Sequence, residues 1–128
     1  MGRVSPDEMA GWLARAEVVI SASHSDSTSQ SLLESMASGT VPVVSDIEGN
    51  REWVSDGDGA RLFAPGDDAG CARAVLAALS DPAWCESARA RNARVIEARG
   101  DWHVNLARIE SWFAALASGR PLPAAEPA

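Results

Sequence analysis

Hydroxyl and carboxyl side chains are concentrated in one short stretch of this 128-residue sequence. Serine occupies every second position from residue 21 to residue 31, and the spacing then changes to the apolar period of a helix. A buried strand, a hydroxyl-rich turn and a helix start bring free backbone N–H groups and the positive end of a helix dipole together. The stretch therefore predicts an anion site, to which Ser27, Thr28 and Ser29 add hydroxyl donors. The alternative left open by the spacing is that these hydroxyls only cap their own helix.

Two carboxylates flank this turn. Asp26 precedes the predicted helix, and Glu34 lies within it, one turn beyond Gln30 on the same face. Because helical side chains lean toward the helix N-terminus, Glu34 can point back at a ligand in the turn. Phosphates would repel a carboxylate, whereas neutral sugar hydroxyls would donate hydrogen bonds to it. The plainer alternative is that Glu34 is a solvated helical residue.

The composition excludes several classes of function. The 11 basic and 18 acidic residues give a net charge of −7, which argues against holding a nucleic-acid backbone by bulk electrostatics. Every basic residue is arginine, so lysine chemistry such as a Schiff base or a P-loop is excluded. Cys71 and Cys85 lack the spacing of a metal site. No apolar run is long enough to span a membrane, and the N-terminus has no secretory signal, which predicts a cytoplasmic location.

The order of predicted elements is typical of an α/β domain with a parallel sheet. Buried strands are predicted at Val18–Ile20 and Val41–Val44, with a third at Arg61–Ala64. Pro42 predicts that its strand lies near a sheet edge or contains a bulge. Helical spacing predicts a helix over residues 67–79, and Asp81 and Asp101 mark the starts of two further helices, the last with apolar residues in a 4-3-4-3 spacing.

The domain organisation is predicted from the thinness of this sheet. The chain opens on a helix begun by Ser5, Pro6 and Glu8, as if earlier strands were missing. We therefore expect residues 1–117 to be the C-terminal part of a larger, Rossmann-like domain. Residues 118–128, rich in Pro and Ala, are expected to form a disordered tail.

A longer stretch of the sequence carries a family resemblance. The segment "SASHSDSTSQSLLESMASGTVPVVSDIEGNREWVSDGDGARLFAPGD", residues 21–67, resembles the donor-binding segment of the retaining GT-B glycosyltransferases, the family called glycosyl transferases group 1. The Glu-x7-Glu pattern, the G-x-P-V-V strand, the G-G-x-x-E turn and the D-G-x-x-G stretch have counterparts here in order. The resemblance implies the C-terminal lobe of a GT-B fold and transfer of a sugar, with retention of configuration, from a nucleotide-diphosphate sugar to an acceptor hydroxyl. It implies no metal and no cofactor beyond that donor.

The resemblance also implies roles for particular residues. Asp26 stands at the position of the residue that meets the donor sugar near the reacting centre, a catalytic position. Glu34 matches the residue that binds the ribose hydroxyls, and residues 27–29 match the turn whose amides face the phosphates. The "GNRE" turn, Gly49–Glu52, matches the turn at the cleft edge. Asp26 replaces a longer Glu, and Arg51 is the only cation near the motif.

The partners and the competing hypotheses follow from what this segment lacks. A nucleotide sugar is the expected ligand, the acceptor is unknown and no nucleic acid is expected. The acceptor lobe and the basic pair that neutralises the diphosphate would come from a missing N-terminal segment or a partner chain, which could also provide a peripheral membrane link. The chain alone is then expected to be inactive. The alternatives are a truncated nucleotide- or partner-binding module without chemistry, and an unrelated α/β module that binds inorganic phosphate. We interpret Asp56–Asp58, "DGD", as turn formers and not as a metal site.

Overall fold

The structure, a computed structural model, describes residues 2–122, which form alternating helices and strands. Along the chain the elements are α1 (Pro6–Leu13), β1 (Val18–Ser21), α2 (Gln30–Ala37), β2 (Val41–Ser45), α3 (Glu48–Arg51), β3 (Ser55–Asp56), β4 (Gly59–Phe63), α4 (Asp68–Leu79), α5 (Pro82–Val95) and α6 (Trp102–Ala117). A π-helical turn, Ile96–Gly100, connects α5 to α6. The strands and the main helices lie where the sequence predicts them, whereas α3 and β3 are short elements inside a segment predicted to be a loop.

The strands form one four-stranded sheet in the order β1-β2-β4-β3, and each ladder is parallel. The predicted α/β fold class with a parallel sheet is confirmed. The prediction from Pro42 is wrong, because β2 lies inside the sheet and its register with β1 is continuous. Val41 N–H donates to Glu17 O, on the β1 side of the strand. Because successive backbone nitrogens of a strand point to opposite sides, the Pro42 nitrogen faces β4. The β2–β4 ladder begins only at Val43, and the missing donor therefore costs no ladder hydrogen bond.

Helices cover both faces of the sheet, as a buried parallel sheet requires. On one face, Val41, Val43 and Phe63 pack against Ala74 and Ala78 of α4, with Cys85 of α5 completing the cluster. On the other face, Leu32 and Met36 of α2 pack against residues of the sheet and its connections, namely Val44, Val54 and Ala60. Alternate residues of β2 thus belong to opposite clusters, which fixes the strand register.

The predicted helix starts are confirmed by their hydrogen bonds. Ser5 Oγ accepts from Glu8 N–H at 3.3 Å, and the Glu8 carboxylate accepts from Ser5 N–H at 2.9 Å, a complete capping box. The carboxylates of Asp67, Asp81 and Asp101 each accept a hydrogen bond from the backbone N–H three residues later. The hydrogen bonds of the Ser5 box hold the pKa of the Glu8 carboxyl below its ordinary value.

Two helices leave their apolar sides in solvent. No residue of α1 is buried, and Ala115 is the only buried residue of α6. Six large apolar residues of α6 are exposed, with fractions from 36% at Leu106 to 69% at Trp102; the others are Val104, Ile109, Phe113 and Leu116. Residues 118–120 close α6, where Gly119 adopts a φ of +66° and Arg120 N–H donates to Ala115 O. Residues 123–128 of the predicted tail lie outside the described residues.

Within residues 2–122, each helix is either too short or too polar to cross a membrane.

Candidate functional site

The serine-rich loop between β1 and α2 presents unused backbone donors. None of the N–H groups from Asp26 to Ser31 donates a hydrogen bond to another residue in the part of the chain that the structure describes. These groups lie at the carboxyl edge of the parallel sheet, where β1 ends, and at the positive end of the α2 dipole. The loop can therefore hold an anion with its main chain alone.

The three hydroxyl residues of this loop have different roles. The Ser29 side chain is 4% exposed, and its Oγ accepts from Leu32 N–H at 3.4 Å and contacts Ser31 Oγ at 3.0 Å. Ser29 is thus the N-cap of α2, as in the alternative left open by the sequence. Ser27 and Thr28 are exposed and line an open cavity. Of the three predicted hydroxyl donors, only those two face the solvent.

The cavity beside this loop has a volume of about 250 Å³ and an acidic lining. Asp26 lines it together with Glu48 and Glu52, which belong to the second turn, residues 48–52 around α3. Gly49 brings the two turns together, because a Cβ at that position would lie 1.9 Å from Ser27 O. Carboxylates accept hydrogen bonds from hydroxyl groups and repel phosphates, so this cavity suits the neutral part of a sugar.

Glu34 does not line the cavity of Asp26. It is exposed and lines a separate groove of about 440 Å³ between α1 and α2, together with Val4, Ser5 and Met9. The rotation of α2 directs Glu34, Ala37 and Ser38 toward α1 and directs Leu32 and Met36 into the core. The two predicted carboxylates therefore line separate cavities. Ser5 was predicted only as the cap of α1, and no pattern in the sequence predicted this groove.

Arg51, the cation that the sequence places beside the motif, is already paired. Arg51 donates from Nε and Nη2 to both carboxylate oxygens of Asp46, at 2.5 and 2.7 Å. These hydrogen bonds lower the pKa of Asp46 and raise that of Arg51. Because Asp46 neutralises it, Arg51 is not a free cation for a phosphate.

The remaining titratable residues near these loops either have hydrogen-bond or ion-pair partners or are exposed. Asp56 Oδ1 accepts from Leu62 N–H at 2.9 Å, and Asp58 Oδ2 lies 3.3 Å from Arg91 Nε. His24 is exposed beside Gly66, since a Cβ on that glycine would lie 3.7 Å from His24 Cε1. Between residues 2 and 122, no group of three His, Cys, Asp or Glu side chains is arranged to hold a metal ion.

An amide-rich turn at the carboxyl edge of a parallel sheet is the usual ligand position in open α/β proteins. The chain belongs to the glycosyl transferases group 1 family, whose model matches residues 1–81. It is 38% identical over 94 residues to the glycogen synthase of Mycobacterium tuberculosis, and 32% identical over 107 residues to the D-inositol 3-phosphate glycosyltransferase of Streptosporangium roseum. These alignments cover 73% and 84% of this chain.

Solved structures of the same fold include two sugar-related proteins. Sucrose-phosphate synthase from Thermosynechococcus elongatus superimposes on 93% of this chain with a TM-score of 0.87 and 22% identity. HepE from Anabaena, solved in complex with UDP-glucose, superimposes on 70% of this chain with a TM-score of 0.67 and 20% identity. The similarity confirms the GT-B type of fold.

The chain spans only part of these relatives. It covers 22% and 24% of the two curated relatives, and 30% and 25% of the two solved chains. The chain therefore corresponds to about a quarter of the length of each of these relatives.

Proposed function

We propose that this chain is the nucleotide-sugar-binding part of a retaining glycosyltransferase. It would bind a nucleotide-diphosphate sugar, whose glycosyl unit passes to an acceptor hydroxyl with retention of configuration. Family membership supports sugar transfer. The relative from Streptosporangium roseum is named as a glycosyltransferase and HepE was solved with UDP-glucose, which supports a nucleotide sugar as the donor. The single observation that carries the proposal is the run of unused N–H groups from Asp26 to Ser31 at the start of α2.

The two cavities suggest how the parts of the donor divide around α2. The diphosphate would accept hydrogen bonds from N–H groups of residues 27–31, with the α2 dipole stabilising the leaving-group charge. The nucleoside would lie in the groove between α1 and α2, where Glu34 accepts from ribose hydroxyls and Met9 offers an apolar wall. The sugar would meet Asp26, the proposed catalytic residue, in the acidic cavity. The proposal assigns no metal and no cofactor to the site.

Nucleotide titration tests this assignment. Isothermal titration with UDP, GDP and ADP would compare the wild type with Glu34→Gln and with Glu86→Gln, a matched exposed glutamate of α5. Loss of charged hydrogen bonds to ribose is expected to weaken binding about tenfold in Glu34→Gln and not at all in Glu86→Gln. If a folded chain binds none of the three nucleotides, the proposal is wrong.

The role of Asp26 needs a separate comparison. Asp26→Ala is expected to leave the affinity for the nucleoside diphosphate unchanged and to weaken the affinity for the nucleotide sugar, because only the sugar would contact this carboxylate. Equal affinities of the wild type and the variant for both ligands would contradict the role of Asp26.

A second candidate is a binding module without chemistry. The observation that favours it is the pairing of Arg51 with Asp46, which leaves no unpaired arginine beside the α2 turn among the described residues. Nucleotide binding that depends on Glu34, without transfer from the donor when acceptor sugars are supplied, would support this module. Transfer with inverted configuration at the anomeric carbon would instead contradict retention.

A further inference from the structure

A second polar cavity lies at the β4 side of the sheet, away from the α2 turn. It has a volume of about 380 Å³ and is bounded by β4, by α4 and by Asp56 of β3. Its charged lining residues are Arg61, Arg73, Asp56 and Asp67. This volume lies within the range of small-molecule sites. The proposed donor site uses none of these residues.

Arg61 is held in place in this cavity without an acceptor. Its guanidinium carbon lies 4.0 Å from the centre of the Trp84 ring, a cation–π contact. Trp84 is fixed in turn by its Nε1–H, which donates to Gly57 O at 2.8 Å. The Nε atom of Arg61 is buried without a hydrogen-bond partner, and within residues 2–122 its guanidinium makes neither a hydrogen bond nor an ion pair.

The neighbouring carboxylates accept hydrogen bonds from backbone N–H groups at the wall of the cavity. Asp56 Oδ1 accepts from Leu62 N–H at 2.9 Å, and Asp67 Oδ1 accepts from Gly70 N–H at 2.8 Å as the cap of α4. The second oxygen of Asp67 lies 3.4 Å from Arg73 Nη2, a long and exposed contact. Neither carboxylate therefore pairs with Arg61, and Arg73 is bound only weakly.

We propose that this cavity binds a small ligand through an oxyanion group, a phosphate or a carboxylate. The Nε atom of Arg61 is shielded from solvent, but its two Nη groups also lack acceptors, and an oxyanion in the cavity would accept hydrogen bonds from them in the bidentate geometry that arginine favours. Arg61 is the principal partner, oriented by Trp84, and Arg73 is a second cation at the cavity wall. The cavity lining carries two positive and two negative side chains, and the whole chain has a net charge of −7, so the attraction would come from direct hydrogen bonds with Arg61 and not from the net charge of the cavity.

The test is a titration followed by amide NMR on the full chain. Inorganic phosphate and acetate are added separately, with the ionic strength held constant by sodium chloride. We expect saturable shifts of the Leu62 and Gly70 amides, which line or adjoin the cavity. Shifts confined to residues 27–31 would show that the anion binds only at the α2 turn and would overturn this proposal while leaving the proposed donor site intact.

Three variants assign the binding to the side chains. Arg61→Gln is expected to weaken saturation at the Leu62 and Gly70 amides about tenfold and Arg73→Gln about threefold, whereas Arg94→Gln, an exposed arginine of α5, should not change it. Because Arg61→Gln also removes the contact with Trp84 and can unfold the chain, Arg61→Lys provides a charge-preserving variant, expected to weaken binding less. Saturation by phosphate alone or by acetate alone identifies the ligand group. No saturation by either anion, or equal affinity in wild type, Arg61→Lys and Arg61→Gln, would overturn the proposal.

Discussion

Gly49 shows how one backbone position sets the geometry of the acidic cavity. The absence of a side chain at Gly49 lets the second turn approach the carbonyl groups of Asp26 and Ser27, which a Cβ would meet at 2.6 and 1.9 Å. The sequence resemblance predicted that this turn borders the cleft, but not that the contact is between two main chains. Such a contact depends on a three-dimensional approach that no local pattern encodes.

Replacement of Gly49 by alanine is expected to separate the two turns. We expect Gly49→Ala to lower the free energy of unfolding by about 2 kcal/mol or more, because a Cβ cannot be fitted without moving the backbone. Urea unfolding measures the effect. Gly11→Ala in α1 is the control, since its Cβ would meet only Arg15 Nη1, at 3.5 Å, and alanine favours a helix. Equal stability of Gly49→Ala and wild type would show that the two turns can move apart to accommodate a Cβ at little cost.

The Asp46–Arg51 pair predicts a dependence of stability on pH. The hydrogen bonds from Arg51 lower the folded-state pKa of Asp46 below its unfolded value, so the stabilisation is present above about pH 4 and is lost as the pH falls through the folded-state pKa. Because the Arg51 side chain is 60% exposed, solvent and salt screen the pair, and we expect its contribution to the free energy of unfolding to be small.

Urea unfolding of wild type and Asp46→Asn at pH 7 and pH 3 measures this contribution. The difference in the free energy of unfolding between wild type and Asp46→Asn should be smaller at pH 3 than at pH 7. An unchanged difference would mean that Asp46 stabilises the chain without its charge.

At the scale of elements, helix caps were the most predictable feature. Ser5, Asp81 and Asp101 form the predicted caps, and Asp67 caps α4 at the predicted start of that helix, because a cap depends on residues only three apart. The buried faces were harder to predict. The helical spacing of α4 puts its large apolar residues, Val75, Leu76 and Leu79, on one face. Leu76 is nevertheless 63% exposed, and the small Ala74 and Ala78 form the buried contact with the sheet. Periodicity defines an apolar face without specifying which part of it is covered.

The N-cap of α2 gives an element-scale prediction. Ser29→Ala removes the acceptor of Leu32 N–H at a buried position and is expected to cost about 1 kcal/mol of unfolding free energy. Ser27→Ala, an exposed hydroxyl without a described partner, is the matched control and should be neutral. Chemical denaturation of both variants measures the difference. A loss of stability in Ser27→Ala as large as that in Ser29→Ala would show that the hydroxyl does not act as the cap.

At the scale of the whole molecule, α6 contributes apolar surface without a buried face. The 4-3-4-3 spacing predicted a helix correctly, yet Trp102, Ile109, Phe113 and Leu116 are all at least 41% exposed. The two core clusters, by contrast, are built from the sheet, α2, α4 and α5. We therefore expect the domain to be stable without α6.

Truncation after Asp101 tests this expectation. The shortened chain should unfold with a free energy within about 1 kcal/mol of the full chain and should bind less of a fluorescent apolar dye, since exposed patches of this kind attract apolar partners. Leu76→Ser, which removes one exposed leucine from α4, is the control for dye binding. Unfolding of the truncated chain would show that α6 is part of the core.

The parallel topology has a consequence for how the chain acquires its structure. Val18 pairs with Val41 and Val43 pairs with Arg61, so each of these two ladders closes a segment of about 20 residues, and neither ladder can form from a tight hairpin. Refolding should therefore occur over milliseconds or longer, as measured by stopped-flow fluorescence of the tryptophans.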